Sequence, residues 1–164
     1  AYDIVFGDWS SDVCSSDLRK IRGLTIVDVF TRESPAIEID FSLSGFKVVS
    51  ILERLKDAGE IPLVIKVDNG PEFIGLALDK WASQNGVKIF FSRPGKPTDN
   101  ANIESFNGKF RDECLNLHWF ISLEQAREIC EAWRIDYNEE RPHSSLGYKT
   151  PKEFAEGLKF MIAS

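Results

Sequence analysis

Short apolar runs with a two-residue period open the readable part of this chain, and segments with a helical period then alternate with further apolar runs. Residues 24–30 (LTIVDVF) and 36–41 (AIEIDF) are β-rich, the second alternating apolar with acidic positions, and Ser34-Pro35 between them is a turn signal. They predict two paired strands. Over residues 44–58, Phe46, Val49, Ile51, Leu52 and Leu55 recur near helical spacing behind a serine able to cap, and Gly59 closes the segment. Residues 63–67 (LVIKV) predict a strand, 72–84 a helix with Phe73, Leu76, Leu78 and Trp81 inward, and 87–91 another strand. Residues 92–99 are too rich in Pro and Gly to sustain a helix, whereas 102–115 and 123–137 return to helical period. Alternating strands and helices imply parallel pairing added to the opening hairpin. The expected fold is therefore α/β, a mixed sheet flanked by helices in three layers.

Composition narrows the class. With 164 residues, 43% hydrophobic and 28% charged, the chain suits one domain with a real core. It has no apolar run of about 18 residues and no charged-then-apolar leader, so a cytoplasmic protein without a membrane span is expected. Cys14, Cys114 and Cys130 are odd in number and lack CxxC spacing, which points to reduced thiols rather than a disulfide framework or zinc knuckle. The net charge of -6 opposes the clustered excess of Lys and Arg that phosphate binding requires. Much of that acidity is terminal: residues 1–18 hold Asp3, Asp8, Asp12 and Asp17 and no Lys or Arg. The same segment repeats Ser-Ser-Asp at 10–12 and 15–17, starts without Met and shows no sustained period of helix or strand. Residues 8–18 (DWSSDVCSSDL) resemble the translation of a common sequencing-adapter oligonucleotide. The chain thus divides into a non-native segment, 1–18, and a domain, 19–164, whose sheet is expected to lack its authentic first strand. A genuine, poorly ordered terminus is the alternative.

Asp68 directly follows LVIKV and precedes Asn69-Gly70-Pro71, so its carboxylate belongs at a carboxyl edge, where open α/β sheets place ligands. Asp-Asn-Gly is equally ordinary turn chemistry. Glu104, separated from Asp68 by 35 residues, lies in the helix after the Pro-Gly loop. On that helix Ile103, Phe106, Phe110 and Cys114 form an apolar stripe, while Asn100, Glu104, Asn107 and Arg111 recur on another side. That side is either a working face or a solvated one. Gathered carboxylates suit phosphoryl transfer, because Mg²⁺ prefers oxygen ligands and two ions about 4 Å apart stabilise both attacking and leaving oxygens. Arg111, Lys96 and Lys109 are candidates for DNA phosphates, against a plain solubilising role. A lone histidine such as His143 is more often structural than catalytic. Trp133 and Tyr137 fit an apolar helix face and read as core.

The motifs LTIVDVFTRE, VDNGPEF, RPGKPTDNANIESFNGKFRDECL and AWRIDYNEERPHSSLGYKTP, between about Arg19 and Phe154, resemble the retrovirus-like insertion-sequence transposases. Their core is the integrase catalytic (DDE) domain with a ribonuclease H-like fold. The resemblance implies a bacterial polynucleotidyl transferase in which two Asp and one Glu hold two Mg²⁺ ions, with Mn²⁺ as a substitute. By match these ligands include Asp68 and Glu104. It implies that Arg111 is the basic residue after the Glu and that Asn100 shapes the site; Asn107 on the polar side of the helix and Lys109 near it complete the candidate DNA contacts. The implied reaction is nicking of the element's ends by activated water, then attack of a DNA 3′-hydroxyl on the target phosphodiester. The implied partners are element ends and target DNA, a helix-turn-helix recognition region or protein, and further copies of the chain. The family's first Asp lies in a Trp-x-x-Asp-Phe-type strand roughly fifteen residues before the position of Leu24, inside residues 1–18. Trp9-Ser10-Ser11-Asp12 imitates that pattern at a short spacing. Asp28 matches the second strand and reads as structural. An inactive DNA-binding remnant that has lost the first metal-ligand Asp is the alternative function, and a structure-directed ribonuclease on the same fold is a further rival.

Overall fold

In a computed structural model, the described residues are 3–14, 20–67, 75–92 and 101–163. Five strands, β1 (Asp3–Cys14), β2 (Lys20–Asp28), β3 (Ala36–Asp40), β4 (Val64–Val67) and β5 (Lys88–Phe91), form one sheet in the order β3-β2-β1-β4-β5. β1, β2 and β3 pair antiparallel, while β4 runs parallel to β1 and β5 parallel to β4. The mixed sheet inferred from alternating elements is the one observed. Five helices accompany it: α1 (Gly45–Asp57), α2 (Leu76–Asn85), α3 (Ala101–Glu113), α4 (Leu123–Glu139) and α5 (Pro151–Ala163).

A strand fills the first position of the sheet in chain order. Residues 3–14, in which no period was legible, take the central position and pair with β2 from Ile4 opposite Asp28 to Ser11 opposite Ile21. A strand flanked on both sides and covered on both faces needs no polar alternation, so periodicity is a poor guide to it. The segment contains no proline to interrupt the ladder. Phe6 from this strand is buried in the core.

Two cores lie on the two faces of the sheet. On one, Phe6, Leu24, Ile26, Ile65 and Val67 meet Val48, Ile51, Leu52 and Leu55 of α1 and Leu78, Trp81 and Ala82 of α2. On the other, Ile21, Val27 and Ile39 meet Ile103, Phe106 and Phe110 of α3 and Ala126, Cys130, Trp133 and Tyr137 of α4. Two residues expected inside are outside: Phe46 is 79% exposed and Leu76 88%. Each stands two positions before the first buried residue of its helix, about 200° round the axis at 100° per residue. Val48 fills the role expected of Phe46. α1 ends as its glycine predicts, with Gly59 at φ 81° and the Glu60 N–H donating to the Leu55 carbonyl. Ser44 does occupy the N-cap position, but its side chain makes no capping bond.

The β2–β3 turn is tied to α4. The Ser34 N–H donates to Asn138 Oδ1 (2.9 Å), Asn138 Nδ2 donates back to the Ser34 carbonyl (2.9 Å), and Ser34 Oγ donates to the Ile26 carbonyl (3.0 Å). Ser34 and Asn138 are both buried, so every polar group in this exchange needs its partner. Asp28 has the structural role expected of it: its Oδ1 accepts from the Phe30 N–H at 2.7 Å. No described helix is long and apolar enough to cross a membrane.

Candidate functional site

α3 packs across β1 and β2 and carries most of the described candidates. Its apolar stripe is the predicted one, since Ile103, Phe106, Phe110 and the following Cys114 are all buried. Asn107, at the edge of that stripe, accepts a hydrogen bond from the Thr25 hydroxyl at 2.7 Å. Thr25 is wholly buried in β2, so this bond fixes the rotation of α3 against the middle of the sheet. Glu104 is exposed in the first turn of α3, where a carboxylate is favoured by the helix dipole. Arg111 is exposed in the last turn. Seven residues of helix bring Glu104 and Arg111 to within about 20° of each other around the axis. Lys109 falls about 140° from Glu104 by the same geometry. The predicted DNA contacts therefore split into two sets on opposite edges of one helix. Asp68, Lys96 and Asn100 lie outside the described residues; β4 ends at the buried Val67, immediately before Asp68.

The Lys109 edge of α3 faces a cleft of about 420 Å³ closed by the β2–β3 turn and by the segment after α4. Its lining includes Arg32, Lys109, His143, Ser144, Ser145 and Tyr148. Arg32, Ser144, Ser145 and Tyr148 are absent from the sequence-based candidates, although the motif around Arg141-Pro142-His143 was marked by its resemblance. The His143 ring meets the edge of buried Tyr137 at 5.1 Å, and its backbone N–H donates to the Lys149 carbonyl. Burial holds the His143 imidazole below its ordinary range, and Lys109, Arg32 and Arg141 push it the same way. Arg141 itself is engaged: it pairs with Glu113 and with Asp136 (2.9 Å) and lies over the Trp133 ring. As expected, Trp133 and Tyr137 belong to the core.

The residues fit a divalent-ion centre in part. Glu104 offers the hard oxygen donor that Mg²⁺ prefers. Among the described residues there is no group of three His, Cys, Asp or Glu side chains able to hold an ion. Cys114 and Cys130 are buried free thiols that contact each other, and this contact with burial pushes the Cys130 thiol up.

Two family models described as integrase core domain match residues 1–97 and 85–151. A 31.7 kDa protein of insertion element IS407 from Burkholderia multivorans is 51% identical over 150 residues, which is 90% of this chain and 54% of that protein. The chain spans about half the length of the curated relatives it matches. Among solved structures, the catalytic core domain of BIV integrase is similar with a TM-score of 0.75 at 13% identity, covering 99% of each chain. The HTLV-2 integrase catalytic core domain in complex with magnesium is similar with a TM-score of 0.68 at 16% identity, covering 93% of this chain and 95% of that one. At these identities the likeness to the solved structures is one of fold, the ribonuclease H-like sheet with helices on both faces.

Proposed function

Since the chain belongs to the integrase core domain family, we propose that it is the catalytic core of an insertion-sequence transposase, acting on DNA by divalent-metal-dependent phosphodiester cleavage and strand transfer. The observation that carries this reading is the exposed edge of α3, where Glu104 and Arg111 share one side of a helix that the Asn107–Thr25 bond ties to β2, beside the central strand. Asp68, the residue next after β4, is the second proposed carboxylate. Glu104 and Asp68 are the residues assigned to hold two Mg²⁺ ions, or Mn²⁺ in their place. Bound ions would stabilise the attacking and leaving oxygens of the phosphodiester. Arg111 beside Glu104 suits a phosphate of the reacting strand, with Lys96, Asn100, Asn107 and Lys109 as further DNA contacts. Partners in this reading are element ends, target DNA, a helix-turn-helix recognition region, and other copies of the chain. Glu104→Gln and Asp68→Asn should each abolish metal-dependent joining of oligonucleotides, and Glu104→Gln, at an exposed position, should leave the melting temperature unchanged. Retained joining in either variant overturns the carboxylate assignment.

A specific observation favours a second reading, an inactive remnant. Register places Gly7 opposite Thr25, the β2 residue bonded to α3, while Asp8 stands opposite Leu24 of the other core. The β1 position paired with Thr25 is thus a glycine and not a carboxylate. On this reading the chain is silent in oligonucleotide joining and Gly7→Asp confers the activity. Equal activity with and without that substitution removes this alternative.

A further inference from the structure

We infer that the cleft between α3 and the segment after α4 is a second DNA-phosphate site, separate from the Glu104 edge, in which Arg32, Lys109 and His143 together receive one phosphodiester of the bound duplex. The inference rests on the DNA-binding reading above and extends it to residues outside the carboxylate centre.

Charge is the first ground. The chain has 26 acidic residues against 20 Lys and Arg, yet none of the residues lining this cleft is acidic. Three basic side chains from three separate parts of the chain converge there. Several other basic residues are paired with carboxylates: Arg54 with Glu38, Arg134 with Glu131, Lys152 with Glu139. Among the described residues Arg32 and Lys109 have no such pair. Unopposed cations in a partly enclosed site repel one another, and an anion relieves that repulsion.

Chemistry and geometry agree with an anion. The hydroxyls of Ser144 and Ser145 add neutral donors, so the lining suits a phosphate better than an apolar ligand. Arg32 (φ 63°) and Tyr148 (φ 62°) are the two non-glycine residues with positive φ among those described, and both line this cleft. Such backbone is sparsely populated and persists only where its surroundings hold it. For Arg32 the surroundings are visible. Its N–H donates to the Asp28 carbonyl (3.0 Å), and the next residues are held through Ser34 and Asn138 to α4. Its guanidinium is therefore presented by a braced turn, which lowers the ordering cost of binding. The helix supplies the separation: Lys109 and Glu104 are on opposite edges of α3, a helix about 10 Å wide with its side chains. One phosphate cannot serve both edges.

The test uses the whole chain in chelator, so that no metal centre is read. A fluorescent duplex oligonucleotide is titrated against the unaltered protein, Arg32→Gln and Lys109→Gln, at several salt concentrations. Each variant should weaken binding uniformly across sequences and lower the slope of log affinity against log salt by about one. The melting temperature of Lys109→Gln, an exposed position, should not change, which separates lost contact from lost fold. In parallel, the two histidines of the chain allow the His143 imidazole to be followed by NMR. Its pKa should rise when the duplex binds. Unaltered affinity and slope in both variants, with DNA still bound, overturn the cleft and leave the transposase reading standing. No binding by the unaltered chain overturns both. A His143 response to inorganic phosphate alone, with none to the duplex, marks a free-anion site and overturns the DNA form of the proposal.

Discussion

Phe106 sits where α3 meets α4, with its ring 4.8 Å from Tyr137 and 5.5 Å from Trp133, both in edge-on geometry. Aromatic pairs of this kind add to simple burial, and Phe106 is 2% exposed. Phe106→Ala should therefore cost about 3–5 kcal/mol in urea unfolding. Phe46→Ala, at an outward position, should stay within about 0.5 kcal/mol. An equal cost for the two would refute the assignment of faces. The same neighbourhood makes a pH prediction. His143 titrates below its ordinary 6.5 because burial, Lys109, Arg32 and Arg141 all disfavour the imidazolium. The unfolded chain then binds the proton more readily than the folded one, so this contribution to stability is whole above pH 6.5 and is lost as pH falls below it. Urea midpoints should drop between pH 7.5 and 5.5, and the drop should shrink in His143→Gln. Half-buried Glu33 works against this trend, since its carboxyl is raised by partial burial and by Glu60, and acidification favours its folded form. A midpoint that rises on acidification in the unaltered chain, and not in Glu33→Gln, would show that Glu33 dominates.

Helices report themselves through period, and strands through composition and neighbours, which explains what the sequence disclosed. The inward stripe of α3 and the placing of Trp133 and Tyr137 follow from spacing alone, because a helix that covers a sheet must turn one face to it. Leu76 and Phe46 misled because an apolar residue near a helix start satisfies a loose pattern while lying on the wrong side of a strict one. β1 was illegible for a different reason, being held by β2 and β4 rather than by any alternation of its own. The site divides the same way. The phase that joins Glu104 to Arg111 is readable from seven residues of helix, whereas Arg32 reaches the cleft through Ser34 and Asn138, which are 104 positions apart. No local pattern encodes that. One capping signal gives a test at this scale. The Thr150 N–H donates to Glu153 and the Glu153 N–H donates to Thr150 Oγ1, a reciprocal pair at the start of α5. Thr150→Ala should lower stability by about 1 kcal/mol. No measurable loss in urea unfolding would mean that α5 is held by its packing on α4 alone.

For the molecule as a whole, a net charge of -6 has to be reconciled with the polyanionic partner proposed for it. Long-range attraction is weak for such a chain, and a Debye length of about 10 Å at 0.1 M salt confines what remains to the nearest phosphates. Affinity must then come from a few local cations rather than from a basic surface. Arg111 on one edge of α3, Lys109 on the other with Arg32 across the cleft, and Lys96, which precedes α3 in the sequence, give roughly four proposed phosphate contacts, so log affinity should fall with log salt at a slope of about −3 to −4. Between 50 and 200 mM salt this amounts to roughly a hundredfold loss. The four aspartates of residues 1–18 sharpen the test, because substituting Asp3, Asp8, Asp12 and Asp17 by Asn changes the net charge without touching any proposed contact. If contacts are local, that variant should keep the same slope of log affinity against log salt, because the number of phosphates met by Lys and Arg is unchanged. A slope near zero would mean that no cation of the chain meets a DNA phosphate, and one that moves with the aspartates that the association is set by overall charge; in either case neither edge of α3 binds DNA.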